Sequence, residues 1–130
     1  MKTPVIVAIG LGMVTLAAAP AQAKDPPGVN PTHFLCYRIA ESSPLKSTAV
    51  KLKDQFGASD SKLGKVAMLC NPVSKNGEPV KDPKTHLTCF TIKPKKVGRT
   101  VIVTHQFGKQ KLAVASSYLL CLPSLKEMTK

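Results

Sequence analysis

Tryptophan is absent, and only six aromatic residues occur: Phe34, Tyr37, Phe56, Phe90, Phe107 and Tyr118. A core built on large rings is therefore excluded. Acidic residues are scarce as well, seven against 19 basic ones, so the chain carries a formal charge of +12. Among the basic residues only Arg38 and Arg99 are arginine. Lysine is a point charge on a flexible stem, whereas arginine offers the rigid fork that reads phosphates and bases. The composition thus argues against specific nucleic-acid recognition and for weak attraction to polyanions such as anionic glycans or lipid head groups.

Other absences narrow the chemistry. No phosphate-binding loop, dinucleotide fingerprint, calcium loop or Gly-x-Ser-x-Gly elbow occurs. No Cys-x-x-Cys or Cys-x-x-His spacing suggests a zinc site. After residue 23 no apolar run approaches the roughly 20 residues of a spanning helix. We read the chain as non-enzymatic, with no cofactor.

What is present begins with an export signal. Lys2 supplies the charged start, Val5 to Ala18 an apolar stretch, and Ala21-Gln22-Ala23 a small-x-small cleavage site. Cleavage after Ala23 would leave one domain, residues 24–130, secreted or periplasmic, with 18 basic and seven acidic residues. The four cysteines, Cys36, Cys70, Cys89 and Cys121, then read as two disulfides, because an oxidising compartment favours pairing and a small core needs staples.

The strongest signal is an internal repeat. Thr32-His33-Phe34-Leu35-Cys36-Tyr37-Arg38-Ile39 aligns with Thr85-His86-Leu87-Thr88-Cys89-Phe90-Thr91-Ile92 at an offset of 53. Asp54-Gln55-Phe56-Gly57 aligns with His105-Gln106-Phe107-Gly108 at an offset of 51, as does Leu69-Cys70-Asn71-Pro72 with Leu120-Cys121-Leu122-Pro123. Three blocks in order mark a duplication, with repeat one at 32–72 and repeat two at 85–123. All three cysteine pairings survive exchange of the copies. We favour Cys36 with Cys70 and Cys89 with Cys121, which gives each copy its own staple.

Within each copy the apolar residues recur every second position, as in Val50, Leu52 and Phe56 or Val101, Val103 and Phe107, which predicts strands. Phe56 and Phe107 read as core anchors, and Asp54 and His105 as caps of the Gln-Phe-Gly turns, whose glycines call for positive φ. Residues 58–64 read as a loop by composition, Pro94 as lying in a loop after the first strand of repeat two, and residues 71–84, with Asn76-Gly77, as the loop joining the copies. The expected fold is all-β: a single disulfide-stabilised domain of two three-stranded repeats about a pseudo-twofold axis, closed as a small barrel or sandwich.

The combination of His33 to Tyr37, Asp54 to Gly57, Leu69 to Glu78, His86 to Cys89 and Leu119 to Ser124 resembles a bacterial family of exported tandem-repeat domains of unassigned function. The resemblance spans about Thr32 to Lys126. It implies an extracytoplasmic domain and no activity.

For function, two readings follow. In the first the chain is a binding or structural module that contacts anionic envelope polymers through Lys51, Lys53, Lys93, Lys95, Lys96 and Arg99. Lys51 and Lys53 alternate with Val50 and Leu52 and so face solvent together. The alternative is a small metal-binding or hydrolytic protein using His33, His86 and His105, which requires those imidazoles to converge.

Overall fold

The computed structural model describes residues 1–5, 7–13 and 24–130. Part of the apolar stretch of the leader, and all of its Ala21-Gln22-Ala23 cleavage site, lie outside the described residues. No helix forms among the described residues, and none is long and apolar enough to cross a membrane. Six strands follow in order: β1 (Phe34–Arg38), β2 (Ala49–Asp54), β3 (Gly57–Lys62), β4 (Val66–Pro72), β5 (His86–His105) and β6 (Gly108–Ser124). They form a four-stranded antiparallel sheet, ordered β1-β4-β5-β6, and a separate β2–β3 hairpin.

The total of six matches the expected three per copy, but the distribution does not. Repeat one breaks into four short strands, and repeat two runs as two long ones. Equivalent residues nevertheless pair equivalently. Cys36 lies opposite Cys70 as Cys89 lies opposite Cys121, and Lys51 lies opposite Asp60 as Ile102 lies opposite Lys111. In repeat two the link between the two pairings is absorbed into β5 by irregularities at Thr91/Lys95 and Lys96/Arg99. Pro94 therefore sits inside a strand rather than in a loop. It occupies the first of these breaks, where the ladder asks for no N–H.

Two further expectations are corrected. The stretch expected as a loop at 58–64 is largely β3, because serines carry the inward positions that apolar residues would normally mark: Ser59 is half-buried, and Ser61 is buried and accepts the Lys93 N–H at 2.8 Å. The sheet is also open rather than closed as a barrel. Its repeats are related by a step of two strands across the sheet, β1 to β5 and β4 to β6, in the same direction, and not by a twofold axis. An in-plane exchange would instead have to superpose β4 on β5, which the sequence repeat does not align.

The bridges are Cys36–Cys70 and Cys89–Cys121, each joining directly opposed residues of adjacent strands with Cα atoms 3.9 Å apart. The core sits between them, where β4 of one copy meets β5 of the other. Cys70 and Cys89 are 2% and 1% exposed, and Phe90 and His86 are buried beside them. Phe56 and Phe107 do not anchor it. Phe107 is 74% exposed at the tip of the β5–β6 ribbon, where the Lys75 ammonium sits 5.0 Å from its ring centroid. The bulged ribbon thus reaches the joining loop, and Gln106 Nε2 donates to Glu78 Oε1 at 2.8 Å. That loop turns at Asn76 and Gly77, both with positive φ, and closes with Glu78 N–H on Lys75 O.

Candidate functional site: a lysine-flanked seam

The β2–β3 hairpin is laid against β5 by main-chain bonds at one corner. Gly64 N–H donates to Thr91 O at 2.8 Å, and Thr91 N–H donates to Lys65 O at 2.9 Å. A side chain at Gly64 would run into Thr91 Oγ1, so this close approach needs glycine. Further along, Ser61 holds the Lys93 main chain, and Lys95 Nζ donates to Ala58 O. The hairpin and the ribbon consequently face each other across a groove of about 350 Å³. Leu52, Phe56, Ile92, Val97 and Leu120 line its floor, and Lys53 and Lys95 stand at its polar wall.

This arrangement brings together charges distant in sequence. Lys53 of repeat one and Lys95 of repeat two line the groove, Lys62 and Lys93 line a second hollow beside Ser61, and Lys51 stands with Lys53 on the hairpin. Lys51, Lys53, Lys62 and Lys93 are exposed, whereas Lys95 is half-buried. Lys96 and Arg99 lie beyond them on β5, exposed on either side of Val97 and Gly98. Among the described residues none of these seven side chains is in an ion pair. Asp60 lies opposite Lys51, and Asp54 beside Lys53 is occupied with the Phe56 N–H at 2.8 Å. The local balance is strongly positive.

The groove itself was not legible in the sequence, since its floor draws on strands from both copies. The only signal was the alternation of Val50 and Leu52 with Lys51 and Lys53, which gives the outward direction of the lysines but not what faces them.

The histidines each serve local structure. His33 Nε2 lies 3.0 Å from Asp25 Oδ1, with Glu78 Oε2 3.7 Å from its other nitrogen. Buried His86 donates from Nδ1 to Lys84 O at 2.9 Å. His105 accepts the Phe107 N–H on Nδ1 at 3.1 Å and donates from Nε2 to Gln110 Oε1. It caps its turn as Asp54 caps the equivalent one. No group of three His, Cys, Asp or Glu residues is placed to hold a metal among the described residues.

One carboxyl is tuned. Asp82 accepts the N–H groups of Lys84 and Thr85, each at 3.1 Å, ahead of β5. Hydrogen bonds from the Thr85 side chain and then from these N–H groups hold it below the usual carboxylate range.

A family model described as a repeat of unknown function (DUF7450) matches residues 18–123, spanning both sequence copies. No curated protein and no solved structure matches the chain.

Proposed function

We propose a binding role for this chain, which belongs to the DUF7450 family of repeats of unknown function: it is an exported bacterial module that holds anionic polymers of the cell envelope along the lysine-flanked seam. The observation that carries the reading is the meeting of Lys53 with Lys95 and of Lys62 with Lys93 across the line where β3 meets β5, with none of them in an ion pair among the described residues. A surface made soluble by scattered lysines has no need to gather them from two sequence copies. The charge excess of the whole chain adds long-range attraction, and the seam gives it a place to act.

Export rests on the leader at residues 1–23 and fits the two disulfides, which persist where the surroundings are oxidising. The destination is the periplasm or the medium. The module needs no reaction centre for this role, since recognition is by charge along an extended ligand.

Retention on immobilised heparin, a generic polyanion, tests the reading. The chain should bind at low salt and elute as ionic strength rises, because exposed charges are screened beyond about 8 Å at physiological salt. Passage through the column unretained at low salt would remove the polyanion role.

A further inference from the structure

The repeats step across the sheet, so the strand pairing that joins them inside one chain can be compared with the edges the chain leaves open. Inside, β4 of repeat one pairs with β5 of repeat two through Met68↔Cys89, Leu69↔Thr88 and Cys70↔Leu87. The counterpart of β4 in repeat two is the end of β6, 51 residues on, and β6 is an edge strand. The counterpart of this part of β5 in repeat one is β1, 53 residues back, and β1 is the other edge. Each free edge is therefore one half of a junction whose complete form already exists in the middle of the sheet.

We infer that chains join head to tail through these edges, β6 of one copy against β1 of a second. Carrying the internal register over by the two offsets places Leu119 opposite Cys36, Leu120 opposite Leu35, and Cys121 opposite Phe34 of the second copy. The directions agree, since β1 runs with β5 and β6 runs with β4. The backbone agrees too. Val73 N–H donates to His33 O and Ile39 N–H to Ala67 O, so the odd residues of β1 face β4, and Phe34, Cys36 and Arg38 turn their main-chain groups to the open side. Thr91 faces the β4 side of β5, which by alternation leaves Leu119 and Cys121 turned outward on β6.

Burial shows what the junction would do. At the internal seam Cys70, Cys89 and Phe90 are buried. Their counterparts at the edges, Cys121, Cys36 and Tyr37, are exposed, so each disulfide has one half covered and one bare. The residues that would pair carry little of the usual protection, and Pro123 of β6 lies beyond them. In a chain with 19 basic residues, Tyr118 to Leu122 hold none, and β1 has only Arg38 at its end. A contact of this head-to-tail kind repeats, leaving one edge of each kind at the ends of an array. The inference is independent of the polyanion reading.

Leu120 and Leu35 form the non-hydrogen-bonded pair of the predicted junction, where Cα atoms come within about 4.5 Å and a cross-strand disulfide fits. Two variants of the full chain, Leu35→Cys and Leu120→Cys, are mixed under mild oxidation and resolved without reductant. The expected product is a covalent dimer whose linking peptide joins position 35 to position 120, with little dimer from either variant alone. Absence of that linkage, or self-linkage of either variant as efficient as the mixed one, overturns the proposal. Should either variant fail to form its native bridges, hydrogen exchange of the unaltered chain decides. Protection of the Phe34, Cys36, Leu119 and Cys121 N–H groups rises with protein concentration if chains pair, and its constancy overturns the inference.

Discussion

Replacing Gly64 with alanine tests whether the β2–β3 hairpin is fixed on β5 at one corner. The added methyl would meet Thr91 Oγ1 well inside contact distance, with Thr91 O at 3.1 Å and Thr91 Cβ at 3.5 Å. Thr91 cannot simply withdraw, because its N–H and C=O are both spent on Lys65 and Gly64. Overpacking of this sort costs about 1–3 kcal/mol. Against it stands a gain of roughly 0.4–1 kcal/mol from stiffening the unfolded chain, which applies because Gly64 is not at positive φ. The net expectation is a loss of about 1–2 kcal/mol, read as a lower urea midpoint at constant slope in the oxidised protein. A second variant, Gly64→Ala with Thr91→Ala, removes the side-chain part of the clash and leaves the carbonyl, so it should be less destabilised than the sum of the single changes. A Gly64→Ala protein as stable as the unaltered chain, or more so, would refute this account of the corner and with it the placement of Lys53 beside β5.

Three further outcomes are expected. Replacing Cys36 and Cys70 together by alanine opens a bridge spanning 34 residues and should cost roughly 4 kcal/mol in denaturant titration, with a similar loss for Cys89 and Cys121, whose separation is 32; a loss below about 1 kcal/mol would show that the core stands without staples. His105→Ala removes the cap from the Phe107 N–H and should lower stability by about 1 kcal/mol, whereas His105→Asp, which copies the Asp54 cap of the other turn, should restore most of it; equal effects of the two would contradict the capping role. Asp82 should titrate by NMR below the ordinary aspartate midpoint. Since its folded value is depressed, its contribution to stability is present above the unfolded value and is lost as pH falls through the folded one, and a midpoint at or above the ordinary value would contradict its hydrogen bonds.

Local chemistry carried much of the fold in the open. The Gln-Phe-Gly turns, with Gly57 and Gly108 at positive φ and Asp54 and His105 capping, follow from residue types within four positions of one another. The outward lysines of β2 follow from alternation. What stayed hidden depends on partners far away in sequence. Alternation says that a segment is a strand but not what it pairs with, so the open sheet and the stepwise relation of the copies could not be read from it. Ser59 and Ser61 mask the period of β3 because polar residues hold its inward positions, the Ser61 hydroxyl being satisfied by main chain, and Pro94 signals a loop unless the break in the β5 ladder is known. Phe56 and Phe107 suggested a core by size alone. At hairpin tips, Phe56 at the groove and Phe107 under the Lys75 ammonium, they stay at the surface. The candidate site was legible as charge and illegible as a place.

The measurement that tests the central claim most directly compares two charge-matched variants for salt-dependent binding to heparin. Lys51→Gln with Lys53→Gln removes two charges from the hairpin side of the seam, and Lys109→Gln with Lys111→Gln removes two from the exposed start of β6. All four lysines are exposed and outside ion pairs among the described residues, so neither change should unfold the protein. A located site predicts that the seam variant elutes at clearly lower salt than the β6 variant, which should stay close to the unaltered chain. Equal weakening by both variants would mean that net charge alone attracts the polyanion, and the seam would lose its role.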